Sequence, residues 1–200
     1  MLDTLRANRG KRIVRLTTSF QNDINWFAKF MKTFNGVSFF KQSWGESEKI
    51  YVDACLDGIG AIWDNQVYCR NIKGIMPENL SIVHFETLNI VVALKTWANR
   101  LCRTQVTVYC DNMAAVMICQ TGKTRDQFLA KCYRNLWLIC AVYEIDLRVV
   151  HIKGSENVTA DTLSRFQSNK MTNWYNVNAL CGAYVWWDIP LRYLDLYNDI

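Results

Sequence analysis

The sequence lacks the features that mark secreted, membrane-spanning or zinc-ribbon proteins. None of its eight cysteines forms a Cys-x-x-Cys pair, which argues against a zinc ribbon or a thioredoxin-like redox site. No run of 18 apolar residues is present, and the basic segment 1–15 has no apolar core, so we expect neither a membrane span nor a signal peptide. Internal repeats and low-complexity segments are also absent. We therefore predict a soluble protein of a reduced intracellular compartment, the cytoplasm or the nucleus.

The composition is that of one ordinary folded domain with room for appendages. Hydrophobic residues make up 50% of the 200 positions and charged residues 20%, so the chain can bury a core and is not a disordered segment. The formal net charge of +5 is compatible with a polyanionic partner. Many proteins without such a partner are equally basic, so the charge alone decides nothing.

Residues 1–48 are predicted to form a connector segment with one amphipathic helix. A Thr or Ser at positions 17–19 can cap a helix that runs to about Phe34, where Asn35-Gly36 is the stop signal. An apolar stripe at helical spacing is typical of a core or a domain contact. It consists of Trp26, Phe27, Phe30, Met31 and Phe34.

From residue 49 the pattern predicts the element order β-β-β-α-β-α-α-β-α. The first three strands are joined by hairpins and are therefore antiparallel, whereas the later β-α-β steps require crossovers and parallel pairing. The fold class is thus α/β, with a five-stranded mixed sheet flanked by helices over residues 49–166. Residues 167–200 form a C-terminal extension of unknown role that contains Trp174, Trp186 and Trp187. The predicted strands are 49–54, 58–63, 66–72, 104–110 and 147–152, and the predicted helices are 83–101, 112–120, 126–143 and 157–165.

Four acidic residues stand out by their positions in this pattern. Asp53 lies inside the apolar first strand, where a carboxylate is costly unless it is paired or binds a cation. The other three have ordinary interpretations when taken singly. Asp111 could cap the helix that follows its strand, Glu86 could interact with the helix dipole in a first turn, and Asp161 could be a solvated helix residue.

Taken together, the acids predict a cation site. If the first strand and the strand at 104–110 are neighbours, Asp53 and Asp111 lie side by side. Adjacent carboxylates repel each other unless a cation lies between them. Carboxylate oxygens are the ligands that Mg²⁺ prefers, with substrate phosphate filling the remaining positions. Two such ions can activate a water and stabilise the leaving oxygen of a phosphodiester.

The order of elements and acids resembles the ribonuclease H family. The segments that carry the resemblance are IYVDACLDGIGA (50–61), ETLNIVVAL (86–94), VYCDN (108–112) and HIKGSENVTADTLSR (151–165). The last is the most specific, because it is similar to the closing motif of retroelement ribonucleases H. Two departures are Cys55, where a Ser is usual, and a link of about five residues after the helix at 112–120, which leaves no room for the basic extra helix of some cellular members.

The resemblance implies a metal-dependent endonuclease that hydrolyses the RNA strand of RNA–DNA hybrids. It implies two Mg²⁺ ions, which Mn²⁺ can replace, and a His that assists proton transfer or product release. The alternative for that His is a strand-end residue bound to a backbone carbonyl. The implied metal ligands and catalytic acids are Asp53, Glu86, Asp111 and Asp161; the assisting residue is His151; candidate substrate contacts are Asn112 and Asn157. Lys123 and Arg125 are candidate phosphate contacts because of their charge, and the alternative is that they are solvated surface charges.

The segment DINWFAKFMKTFNG (23–36) resembles the connector that precedes ribonuclease H in retroelement reverse transcriptases of the DIRS-like or gypsy-like groups. That likeness implies an upstream polymerase domain of the same polyprotein as a partner, since no Tyr-x-Asp-Asp polymerase motif is present here. Two alternatives stay open: a catalytically weak or inactive nucleic-acid-binding scaffold of the same fold, and another polynucleotidyl transferase such as an integrase. The sequence predicts no oligomeric state.

Overall fold

The computed structural model describes residues 15–33, 47–166 and 185–194 of the chain. The chain divides into two compact units, Met1–Ser38 and Phe39–Ile200. Among the helices of the described ranges, none is long and apolar enough to cross a membrane.

The first unit contains helix α1, Thr18–Thr33, as the sequence predicted. The hydroxyl of Thr17 accepts a hydrogen bond from the Phe20 N–H at 3.3 Å and so caps the first turn. Members of the apolar stripe contact one another within the helix, as in the stacked rings of Trp26 and Phe30 at 5.4 Å. The predicted stop at Asn35-Gly36 lies outside the described residues, as does Phe34.

The second unit is built on a mixed sheet with the strand order β5-β4-β1-β2-β3-β6. Strands β1, β2 and β3 are antiparallel neighbours, and β4 and β5 run parallel to β1. The predicted five-stranded mixed sheet is therefore confirmed, with a short sixth strand added at the β3 edge. The elements are β1 Glu48–Ala54, β2 Gly58–Trp63, β3 Gln66–Asn71, α2 Ile82–Trp97, β4 Gln105–Cys110, α3 Met113–Thr121, α4 Gln127–Tyr143, β5 Asp146–His151, a 3-10 turn Gly154–Glu156, α5 Val158–Arg165, β6 Val185–Trp186 and a second 3-10 turn Leu191–Leu194.

Helix α2 is the centre of the core, and its sequence explains why. Residues 85–94 are all buried and most of them are apolar, as is typical of a helix that packs between other elements. It contacts β1 and β2 together with α3 and α4. The helix ends at Trp97 rather than at the predicted Leu101, because the chain then turns and both Arg100 and Leu101 donate to the Trp97 carbonyl.

The C-terminal segment 185–194 is part of this core. Strand β6 pairs with the edge of β3, and the Trp187 N–H donates to the Val67 carbonyl at 2.9 Å. Ile189 is 1% exposed and Leu194 is 6% exposed, and both belong to the cluster of buried residues around α2. The described part of the extension therefore completes the domain, a role that the sequence did not reveal. Trp174 lies outside the described residues.

Candidate active site

The parallel pairing of β1 with β4 brings Asp53 and Asp111 together. The register aligns Val52 with Cys110, so the next residue on each strand falls at the same level of the sheet. Asp53 is only 3% exposed, and the charge of Asp111 contributes to raising its pKa. The predicted juxtaposition of these two acids is present in the structure.

Glu86 reaches the same place from α2. Its carboxylate accepts a hydrogen bond from the Ala54 N–H, and its Oε2 lies 3.6 Å from the Cys110 thiol, which donates to it. The helix begins at Ile82, so Glu86 lies in the second turn and is 2% exposed. The alternative of an exposed first-turn Glu that interacts with the helix dipole is therefore wrong.

Asp161 lies at the solvent side of this cluster. Its side chain is 42% exposed, and its Oδ1 is 2.6 Å from Nε of Arg165, one turn further along α5. Its charge also raises the pKa of Asp53, which places the two carboxylates within electrostatic reach of each other. Asp161 thus lies near Asp53 and also forms an ion pair with Arg165 on its own helix.

Two glycines allow α5 to approach closely enough to build the site. A Cβ on Gly58 would lie 2.3 Å from the Ser164 carbonyl oxygen, and one on Gly60 would lie 2.5 Å from the Leu163 Cβ. Because both positions lack a side chain, Ser164 reaches the sheet and donates to Asp53 Oδ2 at 2.5 Å. The glycines of the first hairpin motif therefore serve to place α5 against Asp53.

The electrostatics of the cluster favour a cation. Burial is the main cause that raises the pKa of Asp53 to about 7, and the Ser164 hydrogen bond opposes it. Burial, followed by the charges of Asp53 and Asp111, raises the pKa of Glu86 to about 9. Holding these carboxylates ionised at neutral pH is therefore unfavourable without positive charge nearby, and a divalent ion would supply it.

The donor set fits a hard divalent ion. Ligand atoms of Glu86, Cys110 and Asp111 lie within 4.8 Å of one another. Magnesium prefers oxygen ligands and usually binds through one or two carboxylates plus water and phosphate. Burial raises the pKa of the Cys110 thiol well above its usual range, so Cys110 stays protonated and the carboxylates are the ligands that fit Mg²⁺.

Asn112 and Asn157, both predicted to contact substrate, have structural contacts here. The side chain of Asn112 caps α3 by accepting from the Ala114 and Ala115 N–H groups, each at 3.1 Å. This excludes the alternative that Asp111 is the cap, and it leaves that carboxylate for the cluster. Asn157 is 2% exposed and donates to the Val52 carbonyl at 2.9 Å. Asn157 therefore ties the start of α5 to β1, and its contact with substrate stays a prediction.

His151 is exposed at the end of β5 and adjoins Asp111. Its Nε2 lies 3.1 Å from the Asp111 carbonyl oxygen, which is the contact expected of the strand-end alternative. The ring nevertheless stands at the edge of the acidic cluster. Gly154 closes the same edge, because a Cβ there would lie 3.2 Å from Asp111 Oδ2.

Lys123 and Arg125 are exposed on the loop between α3 and α4. The end of this loop is anchored beside the first turn of α2, where Nε2 of His84 donates to Asp126 Oδ2 at 3.3 Å. Nδ1 of that His accepts from the Ser81 N–H, so the proton is on Nε2. The two cations therefore lie on a loop that is fixed next to the helix that supplies Glu86.

Three further residues contribute to the site: His84, Asn89 and Ser164. Asn89 and Ser164 lie within the segments that carry the resemblance, but their roles were not predicted. For Asn89 a signal was available, because it follows Glu86 by three positions and so shares its helix face. For Ser164 and His84 no local signal exists, since their partners Asp53 and Asp126 are distant in sequence.

No family model matches the sequence, and no curated protein matches it. Solved ribonuclease H structures resemble the chain. Ribonuclease H1 of Halobacterium salinarum is 12% identical with a TM-score of 0.47, and the match covers 59% of this chain and 94% of that one. LC11-RNase H1 in complex with an RNA/DNA hybrid is 21% identical with a TM-score of 0.45, covering 57% and 91%. The N-terminal RNase H domain of a Mycobacterium tuberculosis protein is 13% identical with a TM-score of 0.45, covering 68% and 98%. Because these sequence identities and TM-scores are low, the fold assignment rests on the strand order of this chain, and the similarity says nothing about its activity.

Proposed function

We propose that the chain is a metal-dependent endonuclease that hydrolyses the RNA strand of RNA–DNA hybrids. One observation carries the proposal: Asp53, Glu86, Asp111 and Asp161 lie close together at the C-terminal ends of the neighbouring strands β1 and β4. The two most buried members, Asp53 and Glu86, take their hydrogen bonds from a hydroxyl, an amide and a thiol, none of which is charged. The basic residue Arg165 is paired with Asp161, and its charge has only a small effect on the pKa of Asp53. Buried carboxylates such as Asp53 and Glu86 need further positive charge, which a bound cation supplies.

In this proposal the four carboxylates hold two Mg²⁺ ions, for which Mn²⁺ can substitute. Bound there, such ions supply an activated water and stabilise the leaving oxygen of a phosphodiester. The chain's own contribution is placement. Burial and the close packing of α5 exclude water from Asp53 and fix its orientation, while helix α2 places Glu86 next to Asp53. His151 stands exposed beside Asp111, where its ring nitrogen can take or release a proton.

The hybrid as substrate is supported by the resemblance of the four motifs and by the basic loop. Lys123 and Arg125 are exposed and held near the start of α2, so they can contact phosphates on one side of the acids. The motif HIKGSENVTADTLSR and the connector-like segment 23–36 support an origin in a retroelement reverse transcriptase, with a polymerase domain upstream in the same polyprotein.

A cleavage assay tests the proposal. The purified chain is incubated with labelled RNA–DNA hybrid, duplex DNA and duplex RNA, in Mg²⁺ or in EDTA. We expect cleavage of the RNA strand of the hybrid alone, only with Mg²⁺, and none with Asp53→Asn. Asp57→Asn is the matched control, because Asp57 belongs to the same hairpin but is paired with Lys73 at 3.4 Å and is 40% exposed. Hybrid binding without cleavage would instead support the scaffold alternative, and cleavage of duplex DNA would support a different nuclease of this fold.

A further inference from the structure

Two buried polar side chains, Asn89 and Tyr68, join α2 to the sheet immediately behind the acids. Asn89 is 0% exposed, and its Nδ2 donates to two carbonyls, that of Asp53 at 2.8 Å and that of Gly60 at 2.8 Å. Its Oδ1 accepts from the hydroxyl of Tyr68 at 2.6 Å, and Tyr68 is 0% exposed as well. Both polar atoms of the Asn89 amide and the hydroxyl of Tyr68 are thus hydrogen-bonded in a place that water does not reach.

These contacts fall on one peptide group of β1. The carbonyl of Asp53, bound by Asn89, and the N–H of Ala54, bound by Glu86, belong to the same peptide bond. Since a peptide group is planar and its C=O and N–H point in opposite directions, two partners fix its orientation. Both partners come from α2 and are three positions apart, which places them on the same face of that helix.

The orientation of this peptide decides where the Asp53 carboxylate points. The Asp53 Cα is one end of the peptide plane, so a rotation of the plane would swing the side chain relative to Glu86 and Asp111. The contact of Asn89 with Gly60 adds a second constraint, because Gly60 is the register partner of Asp53 in β2 and is pressed from the other face by α5. A core position filled only for packing would hold an aliphatic residue, since burying an amide costs free energy unless every donor and acceptor is bonded.

We infer that Asn89, oriented by Tyr68, is a positioning residue that holds Asp53 in the geometry in which the acids share a divalent ion. The inference rests on the proposed function and deepens it. Asn89 touches neither substrate nor ion. It acts through the Asp53 backbone, and Tyr68 ensures that the NH₂ of the amide, rather than its oxygen, faces the two carbonyls.

The test is the Mg²⁺ dependence of thermal unfolding, measured on the full chain. The rise in Tm with Mg²⁺ concentration reports the ion's affinity for the folded state without any turnover. We expect Asn89→Leu, which is similar in size, to raise the Mg²⁺ concentration needed by roughly 10- to 100-fold, the usual loss when an outer-sphere partner of a metal site is removed. The kcat on hybrid at a fixed low Mg²⁺ concentration should fall in parallel, with KM for the hybrid unchanged.

Two further variants separate positioning from stability. Leu94→Ala removes a side chain that is 0% exposed on the same helix, and it should lower Tm while leaving the Mg²⁺ requirement at the parent value. Tyr68→Phe keeps the amide donors but removes the group that orients them, and it should raise the requirement by roughly 3- to 10-fold. If Asn89→Leu does not fold, Tyr68→Phe tests the same inference. In the double variant, the increase in the Mg²⁺ requirement should be smaller than the two single increases combined, because both substitutions act through the same contact.

The outcomes separate this inference from the proposed function. If the parent chain shows no response to Mg²⁺, both are overturned. If the parent responds, while Asn89→Leu and Tyr68→Phe require no more Mg²⁺ than the parent and Leu94→Ala, the inference about Asn89 fails and the proposed function stands.

Discussion

Replacing Asp53 by Asn should make the metal-free protein more stable while abolishing hydrolysis. The pKa of Asp53 is raised from 3.8 to about 7, with burial as the main cause. A raised pKa means that the folded state prefers the protonated acid, so this contribution to stability is complete below about pH 4 and is lost as the pH rises through 7. At pH 8 the ionised Asp53 should therefore cost the fold at most about 4 kcal/mol, at 1.36 kcal/mol per pKa unit.

Asparagine keeps the shape and removes this cost. Its Oδ1 can still accept from the Ser164 hydroxyl, which donates to Asp53 in the parent. We expect the Asn variant at pH 8 in EDTA to unfold at a temperature higher by roughly 3 to 10 °C, given about 3 °C per kcal/mol for a domain of this size. The difference should shrink towards zero at pH 5, where the parent acid binds its proton.

Thermal unfolding followed by circular dichroism at pH 5, 6.5 and 8 measures this directly. Addition of Mg²⁺ at pH 8 should raise the Tm of the parent and leave that of the variant nearly unchanged, since the ion offsets the repulsion only where the carboxylate is present. A parent that gains stability between pH 5 and 8, or a variant no more stable than the parent at pH 8, would refute the reasoning. Hybrid cleavage by Asp53→Asn at the parent rate would falsify the site assignment.

Four other changes test the remaining features. His151→Ala should lower kcat by roughly ten- to a thousandfold and leave the Mg²⁺ requirement unchanged; a parent-like rate from pH 6 to 8 would make His151 purely structural. Replacing Lys123 and Arg125 together by Ala should weaken hybrid binding and reduce the slope of log K against log salt by about 1.8, at 0.9 per phosphate contact, and an unchanged slope would place the phosphate contacts elsewhere. Gly60→Ala should cost about 1–3 kcal/mol in urea unfolding, because its Cβ would lie 2.5 Å from the Leu163 Cβ; parent stability would mean that α5 yields readily. Ending the chain at residue 166 removes the buried residues of 185–194 and should cost about 3 kcal/mol or more, whereas an equally stable truncated chain would show that this segment is dispensable.

Much of the fold was predictable because its signals are local. The β-branched and aromatic residues of β1–β3, the turn residues between these strands and the helical spacing in α2 and α4 are recognisable within short windows of sequence. The tip of the β2–β3 hairpin shows the limit of such signals, since Asp64 adopts a φ of 52° that its residue type tolerates but does not require. The end of α2 was misplaced by four residues, because Leu101 continues the apolar spacing and is buried although it lies in a turn.

The four acids also differ in how far the sequence alone indicated their roles. Asp53 was conspicuous by itself, because a carboxylate among strand-forming apolar residues needs a partner. Glu86, Asp111 and Asp161 had ordinary explanations, and only tertiary structure removed two of them. Asn112 caps α3 and so excludes that role for Asp111, and the position of Glu86 in a buried second turn excludes a dipole effect.

By itself, the sequence determined the element order, the mixed sheet and the chain positions of the four acids, because these depend on residue type and on spacing along one segment. Tertiary structure alone decided which polar groups meet. The pairing of β1 with β4, the approach of α5 through Gly58 and Gly60, and the contact of Asn89 with the Asp53 carbonyl join residues far apart in the chain. These contacts are stabilised by burial and by hydrogen bonds that form only after packing has excluded water, so a local sequence pattern cannot predict them.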